Sequence, residues 1–82
     1  MSRIEKLYQK IKNNPKNVRY SELRTLIEYY GYKLRSSGNG SHRWFRKQGC
    51  LSIHFPEHQP IGIYYVKYAL KILEEYCEID LQ

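Results

Sequence analysis

The segment HRWFRKQGCLSIHF, residues 42–55, decides the fold of this chain, because it contains two short alternating stretches separated by a turn. Apolar and polar residues that alternate with a period of two are typical of half-buried strands. Lys47-Gln48-Gly49 predicts a three-residue hairpin loop with glycine at the position that needs a positive φ. We therefore predict antiparallel strands over residues 42–46 and 50–55.

Two helices are predicted before this hairpin from apolar residues spaced i, i+3, i+4 and i+7. The first helix ends at Asn13-Asn14-Pro15, and Ser21 is a suitable N-cap for the second. Gly31 occupies the place where a left-handed residue ends a helix, and the period then changes to two, which predicts a strand over residues 32–35. The apolar positions of the two helices are Ile4, Leu7, Tyr8 and Ile11, then Leu23, Leu26, Ile27 and Tyr30.

A third helix follows the hairpin. Pro56 ends the last strand, and residues 57–61 form a loop. The apolar stripe of the closing helix consists of Val66, Ala69, Leu70, Leu73 and Cys77. We therefore predict an α+β fold in the order α-α-β-β-β-α, with the helices packed on one face of a three-stranded antiparallel sheet and one domain over residues 1–82.

Composition limits the classes of protein to consider. With 82 residues and 41% hydrophobic residues, the chain reads as one globular domain. No apolar run approaches a membrane span and the N-terminus has no signal-peptide pattern, so we expect a cytoplasmic protein without a membrane partner. Cys50 and Cys77 are far apart, and free thiols are expected rather than the single disulfide they could form. The net charge of +6 indicates a polyanionic partner or, equally, a basic face that serves solubility.

Strand alternation assigns side chains to the two faces of the sheet. Phe45 and Phe55 are natural core residues, and a slip of one residue would bury charges, so the parity is well constrained. The residues predicted to face the helices are Tyr32, Leu34, Phe45, Leu51, Ile53 and Phe55. The residues predicted on the open face are Lys33, Arg35, His42, Trp44, Arg46, Ser52 and His54.

The hairpin loop predicts the register of this open face. A three-residue loop pairs the residues on either side of it, and the pairing continues outward along the strands. The predicted pairs, counted from the loop, are Arg46 with Cys50, Trp44 with Ser52, and His42 with His54. Directly opposed residues have Cβ atoms about 4.5–5.5 Å apart. The two histidines are therefore expected to be cross-strand neighbours.

The open face has chemistry that suits RNA. Arginine and lysine bind phosphates, and an exposed indole such as that of Trp44 can stack a base. A neutral histidine can take a proton from a ribose 2′-hydroxyl, and nearby cations stabilise charge on the phosphoryl oxygens. Each histidine can equally be an ordinary surface residue, and Trp44 can cover a sheet edge or contact a protein partner. Zinc binding by His54, His58 and Cys50 is disfavoured, because strand and loop residues without a second ligand pair do not make a zinc site.

The tripeptide Gly40-Ser41-His42 resembles a motif of the HicA (YcfA-like) toxin family. The likeness extends over roughly residues 21–75: a helix ending at Gly31-Tyr32, a basic strand, Phe45 after the tripeptide, the Pro56-Glu57-His58 element and a closing helix. The resemblance implies a fold similar to a double-stranded-RNA-binding domain and an mRNA interferase activity. It also implies that His42 is the catalytic histidine and that a HicB-type antitoxin masks the site. Many members carry a second histidine where this chain has Arg43.

The leading hypothesis from the sequence is therefore an endoribonuclease that needs neither metal nor cofactor, with His42 as the general base or acid. His54 is a possible second proton-transfer group. The residues expected to bind RNA are Lys33, Arg35, Ser41, Arg43, Trp44 and Arg46. Two alternatives remain: a non-catalytic RNA-binding module that uses the same face, and a protein-interaction domain that uses Trp44 and the tyrosines.

Overall fold

A computed structural model of the chain describes residues 2–36 and 42–76, and it has the predicted α-α-β-β-β-α order. The elements are α1 (Arg3–Asn13), α2 (Tyr20–Tyr29), β1 (Lys33–Ser36), β2 (His42–Arg46), β3 (Ile53–Pro56) and α3 (Ile63–Tyr76). The strands form an antiparallel sheet in the order β1-β2-β3, with β2 in the centre. The α+β prediction is thus confirmed. Among the described residues, none of the helices has the length and apolar character that a membrane span requires.

The core lies on the side of the sheet predicted from alternation. Ile53 and Phe55 of β3 and Phe45 of β2 are fully buried. The rings of Phe45 and Phe55 stack with centroids 5.1 Å apart, and the Tyr20 ring of α2 contacts Phe55 at 5.5 Å. The helices complete the core with buried residues that include Tyr8, Ile11, Leu23, Leu26, Ile27, Val66, Ala69 and Leu73.

The register of the β2–β3 hairpin differs from the prediction by two residues. Trp44 pairs with His54 and His42 pairs with Pro56, so His42 and His54 are not directly opposed. The connection spans residues 47–52, and within it the backbone carbonyl of Leu51 accepts a hydrogen bond of 2.8 Å from the Tyr32 hydroxyl. An even shift preserves the parity of every side chain, so the assignment of His42, Trp44 and His54 to one face is unaffected.

Two residues predicted to face the helices are largely exposed. Leu51 is 50% exposed because it lies in the connection before β3 rather than in the strand. Leu34 is 36% exposed although it pairs with buried Phe45, because β1 is an edge strand and α3 packs on β3 at the other edge. The prediction that Tyr32 is buried is confirmed.

The ends of α2 are held by hydrogen bonds of two kinds. The helix begins at Tyr20 rather than after Ser21, because the backbone N–H of Arg19 donates to the Glu22 carboxylate at 3.0 Å. At the other end Gly31 has φ +102, as predicted for a left-handed position. Its N–H donates to the Glu28 carbonyl and the Tyr32 N–H donates to the Ile27 carbonyl, which is the pattern of a Schellman motif. This motif turns the chain from α2 into β1.

Polar contacts tie α1 to the other helices. The Tyr8 hydroxyl donates a hydrogen bond of 2.5 Å to the Glu74 carboxylate of α3, and Lys12 lies 3.5 Å from the same carboxylate. Burial, and then the Glu74 carboxylate, raise the pKa of the Tyr8 phenol far above its usual range, so the hydroxyl keeps its proton. On the α2 side, Lys10 forms an ion pair with Glu22.

We predict that Gly31→Ala destabilises the protein by about 1–2 kcal/mol. Alanine is strained at φ +102, and its Cβ would lie 3.2 Å from Cε of Lys47. Urea unfolding followed by far-ultraviolet circular dichroism measures the change. Gly49→Ala is the matched control, since Gly49 also has a positive φ, +82, but an added Cβ meets nothing within 4 Å. If Gly31→Ala and Gly49→Ala lowered the free energy of unfolding equally, the contact with Lys47 would contribute nothing to the destabilisation.

We predict that Glu22→Gln lowers the free energy of unfolding by roughly 1 kcal/mol at pH 7. The hydrogen bond from Lys10, followed by that from the Arg19 backbone, lowers the pKa of the Glu22 carboxyl below 4.5. A depressed native-state pKa gives stability that is present above the unfolded-state pKa and is lost as the pH falls through the native-state value. The difference between wild type and variant should therefore be constant near neutrality and vanish in acid. A pH-independent difference would contradict this assignment.

Candidate functional site

Three side chains on the face of the sheet opposite the Phe45–Phe55 core meet a fourth ring, which comes from α3. They are His42 and Trp44 of β2, His54 of β3 and Tyr65 in the first turn of α3, and we call them the histidine cluster. Strand alternation places the first three residues on this face, since Phe45 and Phe55 occupy the other. The two histidines that the sequence analysis expected to be neighbours thus belong to one cluster, although the β2–β3 register differs from the predicted one.

His54 is the centre of the histidine cluster. Its ring stacks on Trp44 with centroids 4.3 Å apart and an interplanar angle of 18°. It also meets the edge of the Tyr65 ring at 5.7 Å and lies 6.1 Å from the His42 ring. A ring with three aromatic neighbours in a half-buried position has little rotational freedom.

His42 has a different environment from His54. Its side chain is exposed. The centroid of its ring lies 6.1 Å from that of His54 and 6.5 Å from that of Tyr65. An exposed imidazole beside a second imidazole can meet a ligand directly while the second one supports it. The arrangement therefore has the parts of an acid–base pair, with His42 as the accessible member.

Tyr65 is a member of the cluster that the sequence analysis missed. It lies on the flank of α3 beside the apolar stripe, and periodicity alone gives no reason to single it out. Gly62 makes room for its ring, since a Cβ at position 62 would lie 3.3 Å from Cδ2 of Tyr65. A glycine one turn before an aromatic residue at the start of a helix is the signal that could have revealed this contact.

The cationic residues predicted to bind RNA are spread along β1 and β2. Lys33 and Arg46 are exposed and directly opposed across the two strands. Arg35, also exposed, lies at a register irregularity between Leu34 and Ser36, so Ser36 rather than Arg35 pairs with Trp44. The three strands contain no acidic residue. Within residues 2–36 and 42–76, none of these three cations forms an ion pair with a carboxylate.

Arg43 and Ser52 are placed differently from the other predicted residues that the structure describes. Alternation puts Arg43 on the side of Phe55, with which it pairs, and its guanidinium forms a 3.0 Å ion pair with Glu57. Ser52 is half-buried in the connection before β3. Ser41 lies outside the described residues, as do Gly40 and Cys77.

The structure also locates the residues considered as metal ligands. His54 lies in the histidine cluster, while His58 is exposed in the loop after β3 and Cys50 is a half-buried free thiol in the connection before it. No group of three His, Cys, Asp or Glu side chains suitable for a metal ion occurs in the described part of the chain.

Comparisons of the chain with protein families, with characterised proteins and with solved structures find no match.

We predict that Lys33→Gln stabilises the protein by roughly 0.5 kcal/mol at low ionic strength, because like charges opposed across two strands repel each other. This gain in stability should vanish at about 1 M salt, because charges farther apart than about 3 Å are then screened from each other. Thermal unfolding at several salt concentrations measures it. Lys16→Gln, an exposed lysine in the α1–α2 connection, is the control and should give no gain. A Lys33→Gln protein that is less stable at low salt would contradict the prediction.

Proposed function

We propose that this protein is an RNA-cleaving enzyme in which His42 transfers the protons. The observation that carries the proposal is the exposed His42 ring, 6.1 Å from the His54 ring, on a sheet face whose cations have no carboxylate partner among the described residues. Phosphodiester cleavage needs a base, an acid and positive charge at the phosphate, and these residue types supply all three.

The proposed reaction uses the ribose itself as the nucleophile. His42 as a neutral imidazole takes the proton of the 2′-hydroxyl, and the 2′-oxygen forms a bond to phosphorus. The bond from phosphorus to the 5′-oxygen breaks, and that oxygen receives a proton from His54 in its protonated form or from His42 itself. The products are a 2′,3′-cyclic phosphate and a 5′-hydroxyl, and the reaction requires no metal or other cofactor.

The charged and aromatic residues around the histidines have proposed roles in RNA binding. Lys33 and Arg46 repel each other when no anion is bound, so a phosphate between them would relieve that repulsion as well as gain two ionic contacts. Arg35 would contact a neighbouring phosphate. One face of the Trp44 indole is covered by His54, so a base would stack on its other face. Arg43 is already paired with Glu57, so any contact that it makes with RNA would compete with that ion pair.

The biological setting that we propose is that of a toxin in a type II toxin–antitoxin system of the cytoplasm. Support comes from the resemblance to the HicA family at Gly40-Ser41-His42 and from a sheet followed by a long helix, the order expected of a fold similar to a double-stranded-RNA-binding domain. The target would be mRNA. A HicB-like antitoxin with acidic residues would neutralise the basic face and cover His42.

A second candidate function is RNA binding without cleavage. The observation in its favour is the packing of His54, which is half-buried against three rings and therefore suited to a structural role. In that case the face would bind RNA with a strong dependence on salt, and neither histidine would transfer a proton.

We predict that His42→Ala lowers the rate of RNA cleavage by about 10²–10⁴-fold and leaves the fold intact, since His42 is exposed. Gel analysis of end-labelled RNA gives the rate and identifies the cyclic phosphate product, and circular dichroism reports the fold. His58→Ala is the matched control because it removes an exposed histidine outside the cluster. Growth arrest on expression should disappear with His42→Ala alone.

Two other results would contradict the ribonuclease proposal. Cleavage retained by a folded His42→Ala protein would remove His42 from the mechanism. Salt-sensitive binding of RNA by the wild-type protein without any cleavage product would favour the binding module instead.

A further inference from the structure

We propose that the outer side of α3 binds the single-stranded RNA next to the scissile phosphate. This side presents Tyr64, Lys67, Tyr68 and Lys71, and we call it the α3 face. The inference rests on the proposed function and extends it, because it names a second contact surface and the strandedness of the substrate.

The exposure of two tyrosines on the α3 face is the first observation. Tyr64 is 84% exposed and Tyr68 is 44% exposed. They are four residues apart, so they are neighbours on the helix surface, with Cβ atoms about 5–6 Å apart. Large exposed rings are suited to stacking on bases, and they can do so with any of the bases in an RNA strand.

The charges of the α3 face are the second observation. On the first two helices, Lys10, Lys12 and Arg24 each form an ion pair with a glutamate. Lys67 and Lys71 form no ion pair with any carboxylate in the described part of the chain, although Glu75 lies one turn after Lys71. These two lysines also lie one helical turn apart, which is close to the spacing of successive phosphates in a nucleotide chain.

The position of the α3 face beside the histidine cluster is the third observation. Tyr65 belongs to the cluster, with its ring 5.7 Å from His54 and 6.5 Å from His42. Tyr68 follows it by three residues on the same flank of the helix. A strand whose phosphate lies at His42 would reach the α3 face across Tyr65 and Tyr68.

These observations favour a single strand over the other polyanions that the lysines could attract. In a duplex the bases are stacked on each other, so exposed tyrosines could not stack on them. An acidic protein would pair with the lysines but would not need alternating rings and charges. Tyrosines and lysines that share one helix side match the alternating bases and phosphates of a single strand.

The test uses 2′-O-methyl oligonucleotides, which lack the hydroxyl needed for cleavage, so binding is measured on the intact wild-type protein. Fluorescence anisotropy measures the affinities for two oligonucleotides. One has about 3 nucleotides and reaches only the sheet face. The other has about 12, a length within the range bound by single-strand-binding domains. Wild-type protein should bind the longer one more tightly.

Variants of the α3 face should lose the tighter binding of the longer oligonucleotide. The double variant Lys67→Ala/Lys71→Ala should bind the long oligonucleotide roughly tenfold more weakly, with a salt slope that is smaller by about 1.4. Tyr64→Leu/Tyr68→Leu should weaken the same binding at least about tenfold. Neither variant should change the affinity for the short oligonucleotide. The matched control is Arg3→Ala/Lys6→Ala, which removes two exposed cations at the start of α1 and should retain the tighter binding of the longer oligonucleotide.

Each other outcome overturns a different proposal. Unchanged affinity of both α3 variants for the long oligonucleotide would refute the α3 face and leave the sheet site standing. Equal losses in the control variant would mean that charge in general, rather than this face, binds the strand. Tighter binding of a 2′-O-methyl duplex than of the single strand would assign the α3 face to a duplex. If the α3 variants lost binding to polyglutamate but kept binding to the oligonucleotide, the face would be assigned to an acidic protein. No binding of either oligonucleotide at low salt would refute the proposed function itself.

Discussion

The stacking of Phe45 on Phe55 is the interaction on which the arrangement of this protein depends. Both rings are fully buried, and they lie on adjacent strands with Tyr20 of α2 against them. Since successive residues of a strand point to opposite faces, burying these two rings places the adjoining Trp44 and His54 on the other face, together with His42. The core and the histidine cluster are thus two consequences of the same alternation.

The histidine cluster combines a rigid part with an accessible part. His54 is held by Trp44 and Tyr65, while His42 is exposed at the edge of the group. In the ribonuclease that we propose, this division would serve catalysis, because a fixed group preserves the geometry and an exposed group reaches the substrate. Lys33 and Arg46 are positive charges directly opposed across β1 and β2, and we expect them to repel each other in the free protein.

Tertiary contacts explain where the sequence-based predictions of the fold were wrong. The β2–β3 register differs from the prediction by two residues, and the connection between these strands contains a hydrogen bond from the Tyr32 hydroxyl to the Leu51 carbonyl. A contact between residues so distant in sequence leaves no trace in local periodicity. Leu34 alternates like a core residue but is only partly covered, because the helices are nearer to the other edge of the sheet. Both differences concern neighbours in space, and alternation describes neighbours along the chain only.

The sequence by itself determined the element order, the left-handed turn at Gly31 and the face of the sheet on which His42 and His54 lie. These features depend on periods of 3.6 and 2.0 and on the backbone freedom of glycine, all of which are local properties. Only the tertiary structure decided that His54 stacks on Trp44, that Arg43 pairs with Glu57 and that Tyr65 joins the cluster. These contacts depend on strand register and on the position of α3, which are set by packing between elements distant in sequence.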